Sequence, residues 1–445
     1  MDSRQHAAAL ALGVIAGCAI TIAASRFLSS ARVFSSASKA GSAAPALLAT
    51  LADYEAAAAS RLPRPAWDYF SSGACDQATL QRNESVLRTR VHLRPRILVD
   101  VSSTTCAHTL LGRPTSQPWG IAPTGFHALA HASAECATAA AAARAGVVYC
   151  VSGSSSRSLE EVAAAAAPWQ GRRLYQLYAL KCRQATAQLV ARAQASGCEA
   201  IVLTVDRPVL GLRDANARNG FTLPGRAPGD ASSNASAAAS APALSDSLTW
   251  ADVHWLRATA MPLPLILKGI LTAQDAALAV QAGVAGVWVS NHGGRQLDGT
   301  LSSAEALLEV VQGVRRAEEG LRSAAASAGA SAAAAPPPPP LPLAIWVDGG
   351  VRRGTDVLKY LALGADFVWV GRPVVWGLGV GGEEGVHSLL AVLGREVKNA
   401  LQLLGVGSPG EVGPQCAYWD TGPVPALAQG GQGSSGASVE SCVKH

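Results

Sequence analysis

Reactive side chains in this sequence sit where short apolar runs end. Gln176 and Tyr178 close one run, Thr204 and Asp206 close another, and Arg213 follows soon after. Lys268 ends the next, and the run after it leads into Ser290-Asn291-His292-Gly293-Gly294-Arg295. Two more end in Asp348-Gly349-Gly350, with Arg352 close by, and in Gly371-Arg372. His292 titrates near neutrality, as a general base must, and Asp206 is placed to orient its ring and stabilise the imidazolium. Arg295 and Arg213 are candidates to clamp a carboxylate, and Lys268 would set a cation beside any anion formed during reaction. Gly349-Gly350 and Gly371-Arg372 combine close backbone approach, a following helix N-terminus and a guanidinium, a combination that suits a phosphorylated ligand. One such charge alone is usually a solvated loop residue, but polar groups at the ends of most strands call for a common cause.

The elements that must position these groups follow one rhythm. Strand-like runs at 119–123, 147–152, 174–178, 200–206, 263–268, 286–291, 344–348 and 367–371 alternate with Ala-rich helical stretches. Eight such units predict an α/β fold, a TIM (β/α)8 barrel, in which the strand ends meet at one mouth. A doubly wound open sheet is the architectural alternative, and it rarely has eight units so regular. Residues 1–46 form a leader, 47–117 an N-terminal helical segment, 118–400 the barrel, and 401–445 a C-terminal segment and tail. Trp67, Asp68, Tyr69 and Phe70 share one helical turn of the N-terminal segment. The Gly/Ala/Ser/Pro-rich stretch 224–247 follows a strand and therefore reads as a lid on the active face. The Ala/Pro-rich insertion 323–342 precedes a strand and reads as a spacer on the opposite face.

The leader carries an apolar run at 7–24, and no acidic residue lies between Asp2 and Asp53. It suits either an organellar transit peptide (mitochondrial or plastid) or a membrane anchor. The last residues, Val443-Lys444-His445, are not of the Ser-Lys-Leu type, so peroxisomal import has no support in the sequence. A net charge of +5 spread over 445 residues is no footprint of nucleic-acid binding. Nine scattered cysteines without a Cys-x-x-Cys pair predict reduced thiols, with neither a disulfide framework nor a metal site.

The run Ser290 to Asp298 (SNHGGRQLD) resembles the signature of the FMN-dependent L-2-hydroxy acid oxidase/dehydrogenase family, which includes glycolate and lactate oxidases. Supporting motifs are Ile121-Ala122-Pro123-Thr124-Gly125, Gln176-Leu177-Tyr178, Leu203-Thr204-Val205-Asp206 and the stretches 62–73, 347–356 and 364–372. The resemblance covers residues 47 to about 419. It implies FMN as cofactor and oxidation of small (S)-2-hydroxy acids to 2-oxo acids, with oxygen or another redox carrier as the final acceptor, in what is expected to be a homo-oligomer. It implies that His292 takes the substrate proton with Asp206 as its partner. Arg295 and Arg213 would bind the carboxylate, helped by the hydroxyls of Tyr69 and Tyr178. Pro123, Thr124, Gly125, Ser152, Gln176, Thr204, Lys268 and Ser290 would hold the flavin ring, and Asp348, Gly350, Arg352, Gly371 and Arg372 its ribityl chain and phosphate.

Two departures from the family pattern bear on substrate and acceptor. Ser154 stands where plant glycolate oxidases usually carry Trp, which predicts a larger side-chain pocket and tolerance for lactate or longer acids. Gly125 stands where many oxidases have Ala, which predicts extra space beside the flavin and altered oxygen access. The apolar run at 7–24 together with Gly125 motivates an alternative: a membrane-attached dehydrogenase passing electrons to a quinone or carrier. A non-catalytic flavin-binding protein would be expected to have lost His292, Asp206 or Arg295, and all three are present.

Overall fold

The computed structural model describes residues 48–221, 244–328, 342–420 and 422–424. The leader with its apolar run, most of the expected lid, residues 329–341 of the expected spacer and the tail from 425 lie outside the described residues. Among the described residues no helix is long and apolar enough to cross a membrane.

Eight parallel strands close into a barrel: β1 (Trp119–Ile121), β2 (Tyr149–Val151), β3 (Arg173–Leu177), β4 (Ile201–Thr204), β5 (Leu265–Ile270), β6 (Gly286–Val289), β7 (Ala344–Asp348) and β8 (Phe367–Val370). They follow chain order around the ring, with β8 pairing back onto β1. Every residue of β2, β4, β6 and β8 is buried. Helices cover such strands outside while side chains fill the barrel inside, so they read as continuous apolar runs. Neighbouring residues then divide between two cores. In β6, Val287 and Val289 join the outer core, while Trp288 joins the inner one.

The inner core is dominated by Trp288, Trp346, Phe367 and Trp369. Trp288 stacks on Trp369 with ring centroids 4.5 Å apart, and Trp346 packs edge-on to Trp288 at 5.7 Å. Gly120 in β1 makes room for this cluster, because a Cβ there would lie 2.7 Å from the Trp369 ring. Leu110, from the hairpin of His108–Leu110 and Arg113–Thr115, packs onto the same cluster. Arg172, paired with Glu199 at 2.6 Å, donates to the Leu110 carbonyl at 2.8 Å and so fixes the hairpin.

The N-terminal segment carries its helices up to Thr89. Helices α1 (Leu51–Arg61), α2 (Arg64–Ser71) and α3 (Ala78–Thr89) are followed by Val91–Leu93, a strand that pairs antiparallel with Ala417–Trp419. The C-terminal segment is thus tied to the N-terminal one. Thr50 and Asp53 form a capping box that starts α1. No side chain of its own caps α3. Asp298 of the loop after β6 accepts from Ala78 N at 3.2 Å and Thr79 N at 2.8 Å, satisfying orphan donors across more than two hundred residues. The helix after β6, Ser303–Ala328, runs six residues into the expected spacer at 323–342. Ala and Ser at 323–328 are compatible with a helix, Ala being its best former.

Candidate active site

The C-terminal ends of the strands surround a cavity of about 620 Å³. Every expected site residue lines it except Asp206 and Ser290, which lie one layer behind and hold residues that do. The floor is a connected polar network. Gln176 Nε2 donates to Thr204 Oγ1 at 3.0 Å, and Gln176 Oε1 accepts from Ser152 Oγ at 3.3 Å. Lys268 lies inside β5, fully in the barrel, with its Nζ 2.7 Å from Ser290 Oγ and 3.1 Å from Asp348 Oδ2. Ser290 in turn donates to Asp348 Oδ1 at 2.7 Å. Burial pushes the Lys268 pKa down, but the Asp348 and Asp206 carboxylates outweigh it and the net shift is upward, so the ammonium keeps its charge.

His292 projects from a backbone turned left-handed over three successive residues, with φ of +58° at His292, +63° at Gly293 and +71° at Gly294. Such a conformation is strained for a non-glycine residue and is held here by tertiary contacts. A Cβ at Gly294 would lie 2.6 Å from Leu80 N of α3, so this glycine lets the helix close on the loop. The buried amides of Asn83 and Asn291 bond reciprocally at 2.9 and 2.8 Å and lock the same contact. The turn aims His292 Nδ1 at Asp206 Oδ1, 2.8 Å away, leaving Nε2 as the other ring nitrogen. Burial lowers the His292 pKa below its usual value, and the Asp206 carboxylate only partly opposes this. Burial alone would raise the Asp206 pKa. The His292 charge and hydrogen bond, with Lys268 beyond, outweigh it and hold the carboxyl ionised.

Arg295 and Arg213 flank the Tyr69 ring, their guanidinium carbons 5.0 and 5.8 Å from its centroid. Arg295 Nη1 donates to the carbonyls of Tyr69 at 2.7 Å and Ser72 at 2.9 Å. Arg372 donates to Phe70 O at 2.9 Å and Ser72 O at 3.1 Å, and it also reaches Gly293 O at 2.9 Å. Two guanidinium groups therefore cap the carbonyl end of α2, fastening the pre-barrel segment over the mouth. Burial depresses the Arg295 pKa well below normal, and the nearby Arg213 charge adds to it. Arg213 is lowered by burial too, and its Nε has no partner among the described residues. Neither pairs with a carboxylate there, so an incoming anion would relieve both.

A second basic corner lies under β7 and β8. Gly350 adopts φ +71°, and a Cβ there would lie 2.1 Å from Asn83 O. Gly371, just before the helix Arg372–Leu404, is open, with nothing nearer than 3.7 Å to a Cβ. Arg372 is brought down to about 10 by burial, reinforced by the adjacent Arg352 charge. At Gly125 the direction a side chain would take is already occupied. A Cβ there would lie 3.0 Å from both Ser154 Cβ and Ser154 O, because the loop after β2 packs against it.

Several lining residues were not expected. Arg207, next to Asp206, lays its guanidinium 4.6 Å over the Tyr178 ring. Phe126 and Phe221 pack around Tyr69 at 6.0 and 5.0 Å. Behind Thr124, the buried Glu135 accepts from His127 N at 3.0 Å, Ser156 N at 2.8 Å and Arg157 N at 3.2 Å, joining the loops after β1 and β2.

Comparison with known proteins places the chain in context. The family model described as FMN-dependent dehydrogenase matches residues 58–419. An L-lactate oxidase of Nostoc sp. is 42% identical over 369 residues, 80% of this chain and 94% of that protein. A peroxisomal (S)-2-hydroxy-acid oxidase of Oryza sativa subsp. japonica is 43% identical over 370 residues, 81% of this chain and 93% of its own length. The crystal structure of a mandelate oxidase with benzoyl-formic acid superimposes with a TM-score of 0.70 at 40% identity, covering 82% of this chain and 96% of that one.

Proposed function

Because the chain belongs to the family of FMN-dependent dehydrogenases, we propose that it oxidises (S)-2-hydroxy acids to 2-oxo acids, with oxygen as final acceptor and hydrogen peroxide as the second product. When bound, FMN supplies the two-electron acceptor that no side chain can provide. The residues present fit it. Gly371 leaves backbone open beside Arg372 at a helix N-terminus, with Gly350 and Arg352 close by, where a phosphate would offset the Arg372 charge. Asp348 would hold the ribityl hydroxyls. The backbone of Pro123, Thr124 and Gly125, with Ser152, Gln176 and Thr204, would present donors and acceptors to the ring edge. Lys268, kept charged by Asp348, would supply a positive field there, with Ser290 fixing its position.

On the substrate side, Arg213 and Arg295 bind the carboxylate in a bidentate manner, with the hydroxyls of Tyr69 and Tyr178 beside them. The clamp sets the 2-hydroxyl toward His292 Nε2, which accepts its proton. Asp206 keeps the other tautomeric proton on Nδ1 and stabilises the imidazolium that forms. Ser154 leaves room for a side chain longer than that of glycolate. The observation that carries this reading is the His292–Asp206 pair in one cavity with two half-buried guanidinium groups that have no carboxylate partner among the described residues.

The test is anaerobic mixing of the yellow holoenzyme with glycolate, (S)-lactate and longer (S)-2-hydroxy acids, followed by air and a peroxide assay. Bleaching by (S)-acids and stoichiometric peroxide are expected. Failure of every acid to bleach the flavin overturns the proposal, and bleaching without peroxide overturns its oxygen half.

A further inference from the structure

The reaction above leaves one cation of the cavity unused. Lys268 is matched by Asp348 at 3.1 Å, and Arg352 by Glu84 at 2.8 Å and Glu55 at 3.7 Å. Arg372 grips α2 and faces the phosphate corner, and Arg213 and Arg295 receive the substrate carboxylate. Arg207 lines the same cavity, half-buried, and no carboxylate of the described residues pairs with it. Asp206, its chain neighbour, is spent on His292. Arg207 is close enough for its charge to act on both Arg213 and Tyr178. Tyr178 holds the guanidinium by a cation–π contact at 4.6 Å and by a side-chain hydrogen bond, neither of which neutralises it.

Three guanidinium groups therefore stand around the substrate space, and a 2-hydroxy monocarboxylate brings only one negative charge. We infer that the site takes 2-hydroxy acids bearing a second carboxylate, and that Arg207 is the specificity-determining residue that binds the distal group. The inference rests on the 2-hydroxy-acid reading and names its substrate class. Ser154, where a bulkier side chain would take up room, lines the same cavity as Arg207. The site has the polarity because a guanidinium resting over an aromatic ring keeps its charge and can offer two donors to a carboxylate. An uncharged tail of equal length would fill the same space and leave Arg207 unpaired.

The experiment compares (S)-malate and (S)-2-hydroxyglutarate with their distal amides, which match them in shape and lack the charge. Anaerobic FMN reduction gives kcat/KM for each, in the parent enzyme and in Arg207→Gln and Arg207→Lys. One charge-assisted contact predicts that each acid exceeds its amide by about 10- to 100-fold in the parent. The ratio should fall to within about threefold in Arg207→Gln and recover in part in Arg207→Lys. Equal use of acid and amide by the parent overturns the inference. So does an Arg207→Gln variant in which acid and amide fall by the same factor, the result expected if Arg207 only positions Tyr178. (S)-Lactate distinguishes the two failures: if it bleaches the parent flavin while the dicarboxylates behave as their amides, the distal subsite is wrong and the reaction stands.

Discussion

Replacing Asp206 with Asn removes one charge and almost no volume, so it isolates what the carboxylate does for His292. The two side chains meet at 2.8 Å, which puts their charge centres about 4 Å apart once the imidazole takes a proton. At the effective dielectric of about 20 that suits such sites, the attraction is about 4 kcal/mol. The imidazolium is only partly formed in the transition state, so about 2–4 kcal/mol is lost, a fall of about 30- to 1000-fold in the rate of flavin reduction. An Asn amide that donates to Nδ1 would also force the ring proton onto Nε2, the nitrogen that must accept, which adds to the loss. The assay is anaerobic stopped-flow bleaching at saturating (S)-lactate across pH. In the parent, His292 must be neutral to act. Burial lowers its pKa, so the rate should rise through a limb below pH 6.5 and be flat above it. Asp206 raises the His292 pKa against that burial, so its loss should move the limb to still lower pH while the plateau drops. A variant that retains FMN and keeps its plateau within about threefold of the parent, or whose limb moves upward, would refute the reasoning.

Arg295→Lys keeps the charge but not the fork. Losing one carboxylate contact and the bonds to Tyr69 O and Ser72 O should lower kcat/KM by about 30- to 150-fold, mostly through KM, in steady-state kinetics. Lys268→Met strands the Asp348 carboxylate in the barrel. Breaking such a buried pair costs about 3–5 kcal/mol, to be read as a drop in the urea midpoint at constant slope. Gly350→Ala combines φ +71° with a Cβ placed 2.1 Å from Asn83 O. It should lower Tm by several degrees and release FMN on gel filtration, and a variant that purifies fully yellow would contradict the placement of the phosphate corner. Ser154→Trp should cut kcat/KM for six-carbon acids by at least about tenfold relative to glycolate; an unchanged ratio along the chain-length series would show that Ser154 does not border the side-chain pocket.

The barrel was legible because its strands are buried on both faces and therefore stand out as short apolar runs between helices, and the polar groups at their ends inherit a common location from the fold. Strand bounds shifted by a residue or two, since the terminal residues of each run turn away to form loops. What escaped was whatever depends on side chains converging from distant segments. Nothing near Asn83 in the sequence announces that it pairs with Asn291, or that Asp298 caps α3. Arg207 was missed for a different reason: a cation in a polar loop looks like a solvated one until the Tyr178 ring is found beneath it. At Gly125 absent side-chain volume reads as open space, whereas the loop at Ser154 occupies the direction a side chain would take.

The tryptophan cluster that fills the barrel has a consequence for traffic. With Trp288, Trp346 and Trp369 packed beneath the polar floor and Leu110 closing the far end, nothing can cross the barrel along its axis. Hydroxy acid, keto acid and oxidant must then reach the cavity from the side of the barrel where α2 and the strand-end loops lie. Substrate and product then share one side of the molecule, and a product that lingers there delays the substrate behind it.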